Sequence, residues 1–226
     1  MNWEDEGYLL AKRKFRENGS IIDVFTKEKG RVSGIVYGGN SRKIRNYLQV
    51  SNKIFISYTE KNENKIGYFK TELIKPIAAN YFNDKRRTSA LLSLTSILKI
   101  LLPESQPYKD LYSSISSIFI NFNNDNWLYL YSFWEYNLIK ILGYDPNLSV
   151  NKENLSKEIN FIDLKIDGIN YSVPSFLITK KLPIKFDNKI LKKSLMFTRL
   201  VMQNKFFIPN NLSFPKSRII FENYFS

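Results

Sequence analysis

Neither cysteine nor histidine occurs anywhere in the 226 residues. Disulfides and thiolate metal sites are therefore excluded, and so are Cys or His nucleophiles and imidazole acid-base catalysis. Most enzyme classes fall with them. The acidic residues are scattered, so the clustered carboxylates that a two-metal nuclease needs are missing as well. Gly38-Gly39 is not followed by the Gly-Lys-Ser or Gly-Lys-Thr of a nucleotide-binding loop, which argues against ATP. The apolar run from Ala90 to Leu102 is short and broken by Lys99, too little for a membrane span, and the opening Met-Asn-Trp-Glu-Asp-Glu is acidic where a secretion signal would be basic. A cytoplasmic binder with no cofactor, no metal and no membrane partner is expected.

What is abundant is positive charge. Lys and Arg number 34 against 21 Asp and Glu, a formal net charge of +13, which suits a polyanionic partner. Part of the lysine excess belongs to a general richness in Lys, Asn, Ile, Phe and Tyr. Its distribution says more than its sum: Ala11 to Lys53 holds eleven Lys or Arg and three Asp or Glu, and five of the cations are arginines. Lys12, Arg13, Lys14, Arg31, Arg42, Lys43 and Arg45 are the predicted phosphate contacts. Arg42, Lys43 and Arg45 are read on a loop that leaves a strand through Gly38-Gly39. Phe15 and Tyr37 lie in strand patterns and are read as core before stacking platforms, whereas Tyr47, on the loop, is open to either use.

Strand-like alternation covers Gly7 to Phe15, Ile21 to Phe25, Val32 to Tyr37, Lys53 to Thr59 and Ile66 to Ile74, the last with Tyr68, Leu73 and Ile74 as its apolar residues. Five short strands with a basic face make a small barrel, of the OB or the SH3-like type. Pro76 ends it, and the period then changes to that of helices. The expected division is a nucleic-acid-binding domain at residues 1–77 and a helical domain at 78–226. Helices are predicted over Asp84 to Leu102, Tyr108 to Phe122, a third N-capped by Asp125 and ending at Gly143, Ile190 to Phe206, and Lys216 to Tyr224. The third is apolar on nearly every side, so Glu135 should be buried in it, with Arg199, Arg218 or a backbone group as its partner. Phe161 to Gly168 and Tyr171 to Ile178 read as a small hairpin. Asp163 and Asp167 are too few to hold a metal.

Several of these stretches resemble one family. Ile22-Asp23-Val24-Phe25-Thr26, Gly30-Arg31-Val32, Gly38, Ser41-Arg42-Lys43 and Leu48-Gln49 are similar to the amino-terminal domain of the bacterial DNA repair and recombination protein RecO. Trp134-Glu135 with Leu138, Leu142, Gly143 and Tyr144, then Phe197-Thr198-Arg199 and Lys216-Ser217-Arg218, are similar to its later signatures in the same order. The weak stretch is Val150 to Lys189. The resemblance implies an α+β protein: a five-stranded OB-fold barrel, then a mainly helical domain with a small β insertion at 145–189. That insertion would be a degenerate version of one that holds zinc through four cysteines in many relatives and has no cysteine here. The resemblance also implies binding to single- and double-stranded DNA, annealing of complementary strands, contact with the carboxy-terminal tail of single-stranded DNA-binding protein (SSB), cooperation with RecR, loading of RecA, and residence at the nucleoid. For the tail, Lys192, Lys193 and Arg199 are the candidate rim, although Ser132 and Phe133 stand where relatives can carry arginine. The rival readings are an OB-fold RNA-binding protein of RNA metabolism and a metal enzyme using Glu135 or the Asp163 region.

Overall fold

A computed structural model describes residues 2–38, 41–61, 66–146, 148, 160–183 and 187–225. They fall into two compact units, Met1–Ser113 with Pro215–Phe221, and Ser114–Phe214 with Glu222–Ser226. The strand-rich segment ends at Lys75, whereas the first compact unit runs on through the helix that follows it.

In the first unit, β1 (Trp3–Phe15), β2 (Gly19–Thr26), β3 (Gly30–Tyr37), β4 (Lys53–Thr59) and β5 (Tyr68–Lys75) close into a barrel of order β1-β2-β3-β5-β4. The β3–β5 seam is parallel and the other pairings are antiparallel, an arrangement of the OB rather than the SH3-like type. β1 begins at Trp3, earlier than its alternation suggests, because it serves two neighbours. Residues Gly7 to Phe15 pair with β2, and Trp3 to Tyr8 with β4. A register shift between Leu9 and Ala11 lets it bend from one to the other. Its acidic start is absorbed locally: the Asp5 carboxylate accepts the backbone N–H groups of Glu6, Glu28 and Lys29, and Glu6 pairs with Lys53 at 2.7 Å.

The alternation places Leu9, Ile22, Val24, Val32, Val36, Ile54 and Ile56 in one apolar core, joined by Leu48 and Phe69. Phe69 presses on Gly34 so closely that a Cβ there would lie 2.4 Å from its ring. On β5 the inward residue is therefore Phe69, while Leu73 and Ile74 are exposed, contrary to their expected role. Between β3 and β4 runs α1 (Arg42–Tyr47), a helical turn where an open loop was expected. After β5 come a 3-10 turn (Ala78–Tyr81) and α2 (Lys85–Leu101), which is N-capped by the Asp84 side chain and stops before Pro103.

The helix α3 (Lys109–Asn121) leads into the second unit, where α4 (Trp127–Ile141) and α6 (Asn188–Met202) pack together. α4 starts from Asn126, not Asp125. It ends as expected at Gly143, whose N–H reaches the Lys140 carbonyl while the Tyr144 N–H reaches Ile139. Glu135 is fully buried, and the Thr198 hydroxyl of α6 donates to it. Arg199 is not its partner, being held by Glu222 instead. The small hairpin is β6 (Phe161–Ile166) with β7 (Ile169–Pro174). The second strand is shorter than its sequence suggested, because Pro174 stops the ladder and α5 (Ser175–Thr179) follows. Residues 147, 149–159 and 184–186 of the expected insertion lie outside the described residues. A π-helical turn (Gln203–Phe207) extends α6, and α7 (Lys216–Asn223) is the last helix.

Candidate nucleic-acid interface

The backbone leaves β3 through Gly38, whose φ of +65° is a left-handed conformation suited to glycine. Ser41 then caps α1 by accepting the Ile44 N–H. One turn of helix separates two chemistries. Ile44 and Tyr47 rest against the barrel core and the C-cap Leu48 is part of it, while Arg42, Lys43, Arg45 and Asn46 face solvent. Burial of three apolar anchors therefore fixes the direction in which three cations point. Among the described residues no ion pair engages Arg13, Lys14, Arg42, Lys43 or Arg45. Four acids of this unit are occupied elsewhere: Asp23 with Lys99, Glu28 with Lys109, Glu6 with Lys53 and Glu104 with Arg31.

The structure brings Lys12 to this group. Partial burial lowers its pKa, and the charge of Arg45 lowers it further, so a strand cation and a helix cation share one field. Arg13 and Lys14 are exposed farther along β1. Arg31 has a different task. Its Nε–H donates to the Leu102 carbonyl at 2.7 Å and its guanidinium lies 3.2 Å from Glu104, so it fastens the segment after α2 to the barrel. Tyr47 is likewise structural, with its hydroxyl on the Thr71 carbonyl at 2.7 Å.

A second feature was not foreseen. Tyr37, read as core, is 56% exposed, because at the last position of β3 its ring passes the barrel's edge. It stacks on Tyr68, with ring centroids 5.0 Å apart and planes 27° apart, and its hydroxyl donates to that of Tyr68. Phe15, Ile21, Ile35, Tyr37, Ile66 and Tyr68 line a groove of about 330 Å³, with Arg16 and Lys61 completing its wall. Arg16 lies over the Phe15 ring at 5.2 Å and Lys61 over Tyr68 at 5.2 Å. The ammonium of Lys61 pulls the Tyr68 phenol below its ordinary pKa, and Tyr68 in turn raises that of Tyr37. A sequence signal for Tyr68 exists: in Tyr68-Phe69 adjacent rings must face opposite sides of the strand, so one of them has to lie outside.

On α6 the three tail candidates part company. Lys193 lines a groove of about 360 Å³ together with Met196, Phe197, Leu200 and Tyr171, and Asp163 brings an opposing charge to the same groove. Lys192 is exposed on another face. Arg199 is spent internally, its Nε–H and one NH2 group on the two Glu222 oxygens at 2.9 and 3.2 Å and the other NH2 group on Gln203. Among the described residues no group of three Asp or Glu side chains could hold a metal, and Asp167 is bound to Lys205 and Tyr144. No described helix is long and apolar enough to cross a membrane.

Residues 1–77 match the family model "Recombination protein O N terminal" and residues 83–153 match "Recombination protein O C terminal". Among curated proteins, the DNA repair protein RecO of Hyphomonas neptunium is 37% identical over 151 residues, 66% of this chain and 62% of the relative. That of a Ruegeria species is 31% identical over 150 residues, again 66% and 62%. In both, the matched stretch spans less than two thirds of the relative's length. The RecO of Wolbachia pipientis wMel is 30% identical over 187 residues, 81% of this chain and 77% of the relative.

Proposed function

The chain belongs to the RecO family of DNA repair proteins, and from that premise we propose that it is a recombination mediator without chemistry of its own. It binds single- and double-stranded DNA, anneals complementary strands, and works with RecR to load RecA onto DNA covered by SSB. Residues 1–77 serve as its DNA-binding segment, residues 78–226 engage partner proteins, and the protein acts in the cytoplasm at the nucleoid.

The observation that carries this reading is α1. Three cations stand on an outward helical face anchored by Ile44, Tyr47 and Leu48, none of them in an ion pair among the described residues, and Glu6, Asp23, Glu28 and Glu104 of the same unit are paired elsewhere. Such a surface neutralises phosphates without reading bases, which is what bringing two strands together requires. Lys12, Arg13 and Lys14 extend it, and Arg31 is left out because its guanidinium is committed to Leu102 and Glu104. Replacing Arg42, Lys43 and Arg45 together with alanine should reduce the slope of log affinity against log salt by roughly two to three. An unchanged slope overturns the assignment. Competition between DNA and RNA oligomers separates this reading from an RNA-binding role.

For the SSB tail, the groove beside Lys193 offers apolar lining and one cation, and the Asp163 carboxylate on the same groove would keep the acids of such a peptide to the Lys193 side. Lys193→Glu should abolish heat release with a tail peptide in calorimetry while leaving DNA binding in place. Undiminished peptide binding would remove the groove from the proposal.

A further inference from the structure

We infer that Asn52 is the positioning residue of the α1 surface: its buried amide holds α1 to β1 and to the 3-10 turn, so that helix and strand cations meet DNA as one group. The inference rests on the DNA-binding reading above and names the side chain on which the geometry of that reading depends.

α1 has little of its own to keep it in place. At six residues it is far shorter than a helix that is stable alone, and none of its residues is fully buried. Its last carbonyls have no partner within the helix and must find one outside it. Two side-chain amides meet them. The exposed Gln49 donates to the Arg45 carbonyl at 2.9 Å, and Asn52 donates to the Tyr47 carbonyl at 2.9 Å.

Asn52 differs from Gln49 in being 2% exposed and in being used on both sides. Its Oδ1 accepts the Ala78 N–H at 2.9 Å, its main-chain carbonyl accepts the Leu9 N–H at 3.0 Å, and its own N–H reaches the Gln49 carbonyl at 3.1 Å. The partners also fix which way the amide faces, since Ala78 offers only a hydrogen and Tyr47 only an oxygen. The preceding Ser51 takes a φ of +75°, a region that non-glycine residues enter reluctantly, and its N–H donates to the Leu9 carbonyl at 2.7 Å. Backbone strain is accepted there to bring Asn52 to the end of α1. One residue thus ties that end to the strand that carries Lys12 and to the turn that leads into α2. The field shared by Lys12 and Arg45 is the result.

A buried amide with this many bonds also stabilises the fold, so lost stability alone does not identify its role. What marks positioning is an effect on DNA that runs through Arg42, Lys43 and Arg45. The test is therefore a thermodynamic cycle on the full chain. A duplex oligomer and an oligo-dT are read by fluorescence anisotropy, at a salt concentration low enough for the Arg42, Lys43, Arg45 triple alanine variant still to bind. Asn52→Ala should weaken binding of both ligands about five-fold or more in the unaltered background, and less than about two-fold in the triple variant, where α1 has no cations left to misalign. Equal losses in the two backgrounds, or no loss in the first, would overturn the inference. If the triple variant binds as tightly as the unaltered protein, the α1 reading itself fails and the positioning role falls with it. If the triple variant is weakened and Asn52→Ala is not, only the role of Asn52 fails.

Hydrogen exchange of the free protein gives a second readout. In Asn52→Ala the Arg45 and Leu48 N–H groups, which bond to Ser41 and Ile44, should exchange about ten-fold faster relative to Val24 and Ile56 of the barrel core. Unchanged relative protection would count against the inference. Should Asn52→Ala not fold, Asn52→Ser keeps a hydroxyl too short to bridge Tyr47 and Ala78 together and is read in the same two ways.

Discussion

Arg31 and Arg42 show how little residue type settles by itself. Both were predicted to touch phosphate, yet Arg42 stands in solvent on α1 while Arg31 donates to a main-chain carbonyl 71 positions away and faces Glu104. Nothing in the local sequence of Arg31 reveals that partner, because the contact exists only once the segment after α2 has packed on the barrel. Arg31→Ala should therefore lower stability by about 1–3 kcal/mol, leaving a charge-assisted hydrogen bond unmade, and should not change the salt slope of DNA binding. Denaturant unfolding and a salt titration on the same sample check both halves. Glu6 carries a pH signature of the same local kind. Its hydrogen bond to Lys53 and that charge, aided by the Tyr112 hydroxyl, hold its carboxyl below the usual glutamate range despite partial burial. A depressed folded pKa means stability that is present above the ordinary glutamate value and lost as pH falls through the depressed one. Glu6→Gln should cost about 0.5–1 kcal/mol at neutral pH, little because the pair is partly exposed, and the gap to the unaltered protein should close in acid.

At the scale of elements, period-two alternation made all five strands legible, since each has one face on a common core. What it could not supply is the face that wins where both carry apolar residues. On β5 the sequence offers Tyr68, Phe69, Leu73 and Ile74. Packing chose Phe69, because only there does β3 present a glycine for the ring to lie on. That choice turned Tyr68 outward against Tyr37 and so created the groove, which is why the groove was not visible in the sequence. α1 was half legible. Its cations were plain, but its helical form depends on Ile44, Tyr47 and Leu48 finding the core, a tertiary effect that overrides the loop-like composition. Gly34→Val tests the packing argument. A side chain at that position meets the Phe69 ring well inside contact distance, so the barrel should lose about 1–3 kcal/mol or more, read as a lower denaturant midpoint. A variant as stable as the original would mean that Phe69 does not set the register of β5.

For the whole molecule the relevant quantity is the +13 formal charge and where it is left uncompensated. Each acid paired inside the first unit removes one cation from the surface as well. The internal pairs therefore leave the α1 group, with Arg13 and Lys14, as a net positive field. The proposed annealing makes a sharper demand on that field than binding would. Holding one strand neutralises its phosphates once, but pairing requires a second strand to approach the first, and the repulsion between them has to be screened by the same protein surface. The Arg42, Lys43, Arg45 triple alanine variant should therefore lose more in annealing rate than in single-strand affinity at any one salt concentration, and the gap should narrow as added salt takes over the screening. Annealing of dye-labelled complementary oligomers, followed over a salt series beside equilibrium binding of one of them, measures the two losses together. Losses of equal size at every salt would show that the cations only tether a strand and that the approach of the second strand is governed elsewhere.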